Sequence, residues 1–126
     1  MSETHELGLA RFLTQRHAAR WLAAKRPPDD LPHFEPRLDP AAAELLGNKG
    51  MMHDEHVAFV LARLRAEGAP EECVLFTEGE WGEPAPLGSA IPDLMWTGAG
   101  FASCVAGRLA LYVREDGSGV YLLRRA

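Results

Sequence analysis

The spacing of apolar positions changes near residue 70. Before it, Ala18, Trp21 and Leu22 share one side of a helix, and Val57, Val60, Leu61 and Leu64 recur at i, i+3, i+4 and i+7 as an apolar stripe. After it, CVLFT (73–77), FASCVA (101–106), LALYVR (109–114) and VYLLRR (120–125) are short, nearly continuous apolar runs, the pattern of buried strands. GR and EDGSG separate the last three runs. Their glycines supply the positive φ of tight turns, so these strands are expected to form an antiparallel meander.

Local signals set the expected boundaries. LTQRHAARWLAAKR (13–26) reads as a helix with Thr14 as its N-cap and Pro27 and Pro28 as its stop. Upstream, Leu7, Leu9, Phe12 and Leu13 begin the same helix or form a separate turn. Residues 27–40 hold five of the nine prolines and predict an extended connection anchored by Leu31, Phe34 and Leu38. Asp39 and Pro40 match an N-cap followed by the first helical position, which predicts a short helix over AAAELLG. Gly68 and Pro70 close the helix that carries the Val57–Leu64 stripe. EGEWGEPAPLG (78–88) reads as a loop, and SAIPDLMW (89–96) as one helical turn.

These elements predict an α+β fold, with N-terminal helices packed on one face of a C-terminal antiparallel sheet. The expected core is Trp21, Leu22, Val57, Val60, Leu61, Leu64, Val74, Phe76, Leu111, Val113 and Leu122. A length of 126 residues fits one domain spanning 1–126. No apolar run approaches a membrane span. The acidic start MSETHELGLARF lacks the basic and apolar regions of a signal peptide, so a cytoplasmic location is expected, with Cys73 and Cys104 as free thiols.

The formal net charge of −5 is unevenly spread. Between Arg65 and Arg108 there is no Lys or Arg, while Glu67, Glu71, Glu72, Glu78, Glu80, Glu83 and Asp93 fall in that stretch. Such a distribution repels a phosphate backbone and attracts cationic partners. It argues against nucleic acid. LTQRHAARWLAA resembles the first helix of a helix-turn-helix, but the chain continues into KRPPDD rather than a recognition helix.

Three stretches carry candidate chemistry. In GMMHDEHVAFV, His53, Asp54, Glu55 and His56 are all potential metal ligands. The histidines stand at i, i+3 rather than the i, i+4 of H-E-x-x-H, and no third ligand is specified. The expectation is therefore a helix start with Asp54 as N-cap and Glu55 complementing the dipole, and no metal or other cofactor. Ser103 and Cys104 lack the G-x-S-x-G elbow of a strand-to-helix nucleophile and alternate to opposite faces of a strand. In EECVLFTEGEWGEP, Glu78, Glu80 and Glu83 are expected to surround Trp81 in a loop, with Glu71 and Glu72 nearby.

The leading expectation is a cytosolic binding protein that engages a basic protein or peptide through this acidic, Trp-bearing surface. A second reading is a small enzyme using His53, His56, Glu78 and Glu80 as general acids and bases. A third is a metalloprotein built on HDEH. Phe59, Trp81 and Trp96 exceed the aromatic needs of the core and suggest a homodimer.

Overall fold

The computed structural model describes residues 2–24, 28, 30–47, 50–115 and 119–126, and all of Thr97 except its side chain. The expected stop at Pro27 and most of the EDGSG turn lie outside the described residues. The chain forms helices α1 (Ser2–Gly8), α2 (Gln15–Ala23), α3 (His53–Ala66) and α4 (Leu87–Thr97). Its strands are β1 (Ala43–Leu45), β2 (Glu72–Thr77), β3 (Trp81–Pro86), β4 (Gly100–Val105), β5 (Leu109–Val113) and β6 (Val120–Arg124). The strands build one antiparallel sheet in the order β1-β6-β5-β4-β2-β3. The α+β class and the β4–β5–β6 meander are as the sequence predicts.

The helices divide between the two faces of the sheet rather than sharing one. α3 and α4 cover a core of Val60, Leu64, Leu75, Ile91, Leu111 and Leu122. The N-terminal helical segments and the proline-rich connection cover a second core of Phe12, Leu31, Phe34, Phe76, Phe101 and Tyr112. Strand alternation explains the need for two covers. Val74 and Phe76 point to the second core, whereas Cys73 and Leu75 point to the first. Every residue of β5 is buried, so neither of its faces can be left to water.

Four local expectations are corrected. AAAEL does not continue as a helix. Asp39 and Pro40 open a turn, with the Ala42 amide donating to the Asp39 carbonyl at 2.9 Å and the Ala41 amide to Asp39 Oδ1 at 2.9 Å. Asp-Pro serves a type I turn as well as a helix start, and here pairing of Ala43–Leu45 with β6 overrides alanine's helical preference. The loop 78–88 contains edge strand β3. Pro84 and Pro86 are tolerated there because an edge strand leaves one side of its backbone unpaired. α4 runs eleven residues, with Pro92 inside it, rather than one turn. Leu22 is exposed, while Trp21 on the same helix is half-buried against the second core.

The connection 30–38 forms two short 3-10 turns, Leu31–His33 and Glu35–Arg37, and its predicted anchors Leu31, Phe34 and Leu38 are buried. The Tyr112 hydroxyl, at the centre of the sheet, donates to the Leu31 carbonyl at 2.7 Å and accepts from the Phe34 amide at 2.8 Å. Burial pushes its pKa up to about 12, so it remains a neutral donor. On β6, the Tyr121 hydroxyl donates to Glu35 at 2.6 Å. Tyr112→Phe would strand two buried backbone groups. It is expected to cost about 2–4 kcal/mol in denaturant unfolding with the strand content unchanged; a loss below about 0.5 kcal/mol would show the clamp to be dispensable.

Candidate functional site

The β2–β3 hairpin and α4 together shape an acidic cleft. At the end of β2, the Thr77 amide donates to the Glu80 carbonyl at 2.6 Å and the Glu80 amide to Thr77 Oγ1 at 3.1 Å. This turn presents Glu78, Gly79 and Glu80 to one side. On α4, Ser89, Ala90, Asp93 and Leu94 occupy one face at helical spacing and form the facing wall. Pro32 and Glu115 complete a concavity of about 470 Å³. Glu78, Glu80, Asp93 and Glu115 all line it, and its described lining contains no Lys, Arg or His. His33 Nε2 stands 3.2 Å from Glu115 Oε2.

Two other members of the acidic stretch, Glu71 and Glu67, are paired elsewhere. Arg65 holds Glu71 through two contacts, at 3.1 and 3.0 Å. Glu67 joins Arg63, Arg124 and Glu44 in a network across α3, β1 and β6. Glu72 and His5 line a separate groove near α1. Among the described residues, Glu78 and Glu80 at the hairpin have no ion-pair partner, whereas Glu67 and Glu71 do.

Trp81 is not ringed by these acids. The β2–β3 ladder carries a bulge in which Gly82, at φ 78°, is inserted. Trp81 consequently pairs with Phe76, and Glu83 with Leu75. The residues Phe76 and Leu75 face opposite cores, so the bulge sends Trp81 and Glu83 to opposite sides of the sheet. Trp81 packs against Phe76 at 5.2 Å and Trp21 at 5.7 Å between ring centroids. Trp96 and Phe59 are exposed.

The HDEH segment starts α3, but with Met52 rather than Asp54 at the N-cap position. Asp54 and Glu55 fall in the first turn, where they complement the dipole. His53 packs edge-on against Trp96 at 4.8 Å. His56 Nε2 bonds the Leu46 carbonyl at 3.0 Å, and its ring lies against Gly47, where a Cβ would approach Nε2 to 2.6 Å. Neither histidine lines the cleft that holds Glu78 and Glu80, so the four residues of the acid–base reading are not brought together. Among the described residues, no three His, Cys, Asp or Glu side chains are grouped to hold a metal ion.

Two polar contacts have no signal in the sequence. His5 Nδ1 lies 2.7 Å from Ser103 Oγ, joining residues 98 positions apart. Ser103 is fully buried, so this pair satisfies a core hydroxyl and offers no accessible nucleophile. The Thr14 hydroxyl pairs with His17 Nδ1 at 2.7 Å instead of capping α2. Glu115 joins the cleft from beyond β5, where it stands outside the acidic run and carries no local signal. Cys73 and Cys104 are buried free thiols, pushed by burial up to about 11 and about 12.

Compared with protein families, curated proteins and solved structures, the chain finds no match.

The titrating groups set a direction for pH dependence. Burial is the main cause that lowers the pKa of His5 and of His17 below 6.5. The Ala41 amide lowers that of Asp39, and Arg63 and Arg65 lower those of Glu44 and Glu71. For each group the unfolded chain binds the proton more tightly, so stability falls on acidification. Loss is expected first below about pH 6.5 from the histidines and again below about pH 4.5 from the carboxylates. Denaturation midpoints measured from pH 8 to 3 should decline in that order; a midpoint rising between pH 7 and 5.5 would contradict it.

Proposed function

We propose that this chain is a binding protein that receives a basic protein or peptide partner at the acidic cleft. The observation that carries the reading is the convergence of Glu78 and Glu80, without ion-pair partners among the described residues, on one concavity that Asp93 and Glu115 also line. Its volume of about 470 Å³ falls within the range of small-ligand sites, enough for a projecting Lys or Arg side chain. Thr77 and Ser89 add hydroxyls to the wall, acceptors that suit a guanidinium's several donors. The cleft walls are a turn held by its own hydrogen bonds and a helix, which favours a preformed site over one assembled on binding. Carboxylates held in a concavity raise the local concentration of cations and speed their encounter, and salt screens both effects.

The test is titration with an arginine-rich peptide across a salt series, beside a peptide of equal length without charge. Affinity is expected to fall as salt rises, and Glu78→Gln with Glu80→Gln is expected to weaken binding about tenfold, or 1.4 kcal/mol. Equal affinity for the two peptides, or a salt-independent affinity unchanged in the double variant, would reject the reading.

A further inference from the structure

On the opposite face of the sheet lies a second, smaller concavity of about 220 Å³ with different chemistry. Its walls include Trp21, Phe34 and Trp81. The rings do not stack flat. Trp21 meets Trp81 at 37° with centroids 5.7 Å apart, and Phe34 at 70° with centroids 5.8 Å apart. Trp21 is fixed through its indole N–H, which donates to the Glu6 carbonyl at 2.7 Å. Trp81 is fixed by Phe76 behind it. An aromatic surface of this kind is suited to a planar ligand.

The polar lining narrows the class. Arg20, Arg37 and His17 supply the cationic side, and Glu6 and Asp30 the anionic side. Asp30 is already engaged by Arg37 Nη2. The Arg37 guanidinium carbon also lies 4.8 Å from the Phe34 ring centroid, and its Nη1 has no hydrogen-bond acceptor among the described residues. A buried guanidinium nitrogen without an acceptor is costly and leaves Arg37 with positive charge beyond its pair with Asp30. Arg20 has no ion-pair partner among the described residues. The field at His17 points the same way. After burial, Arg37, Arg20 and Arg16 are what lower its pKa, and they outweigh the opposing effect of Asp30.

We propose that this pocket binds a small planar aromatic carboxylate, its ring against Trp21 and Trp81 and its carboxylate toward Arg37 and Arg20. A quaternary ammonium could also sit among aromatic rings, but the two arginines oppose it. The two cavities share no lining residue.

Calorimetric titration of the whole chain tests this with three probes: trans-cinnamate, its neutral amide, and choline. Cinnamate is expected to bind at least tenfold more tightly than either alternative. Arg20→Gln, on the exposed side of α2, and Arg37→Gln are each expected to weaken cinnamate binding by about fivefold or more. Arg108→Gln removes the same charge from the β4–β5 turn and is expected to leave it unchanged. Arg20→Gln keeps the test decisive if Arg37→Gln disturbs the fold, which a thermal melt of each variant reports. No cinnamate binding at millimolar concentration, equal or tighter binding of the amide or choline, or an unchanged affinity in Arg20→Gln would overturn the proposal.

Discussion

One phenolic hydroxyl helps to shape two concave surfaces of this protein. Tyr112 stands on a central strand, fully buried, and its oxygen both donates to Leu31 and accepts from Phe34. A tyrosine placed there without partners would bury an unsatisfied hydroxyl at substantial cost. With them, it fastens one end of a proline-rich segment whose other end is held by the Leu13–Leu38 bridge and by the Thr14 amide donating to the Arg37 carbonyl. That segment is shared property: Pro32 reaches the acidic cleft, while Asp30, Phe34 and Arg37 reach the aromatic pocket. Both cavities therefore draw on a segment that the Tyr112 hydrogen bonds help to hold.

The sheet then separates charge. The hairpin Thr77–Trp81 marks the divide, because Glu78 and Glu80 face the α4 side and Trp81 faces α2. A single inserted glycine in β3 keeps Glu83 from joining Trp81. The result is a concavity lined by carboxylates on one face and one lined by aromatic rings and arginines on the other. Arginines at 63, 65 and 124 pair with the acids nearest the α3 edge, whereas Glu78 and Glu80 in the cleft have no ion-pair partner among the described residues. A net charge of −5 alone would not have located it.

What could be read from the sequence followed the range of the interactions involved. The α3 stripe and strands β2, β4, β5 and β6 are set by periodicities of a few residues, and they stand where the pattern puts them. The anchors Leu31, Phe34 and Leu38 were legible as apolar side chains among prolines. β1 was not, since AAAEL has helical propensity and becomes a strand only by pairing with residues almost eighty positions away. β3 was hidden by its prolines, which an edge position permits. Glu78 and Glu80 were legible as acids at a strand end. Their grouping with Asp93 and Glu115 depends on the length of α4 and on the β5 terminus. The aromatic pocket gave no local sign, because Trp21, Phe34 and Trp81 come from a helix, a connection and an edge strand.

The most direct measurement of this account is native-state hydrogen exchange at the Phe34 amide. Its acceptor is a buried side-chain oxygen, so the amide should open only with the sheet itself and exchange as slowly as the amides of β5. Exchange at the rate of an exposed loop would mean that the Tyr112 hydroxyl does not hold the segment, and the shared wall of both cavities would lose its basis.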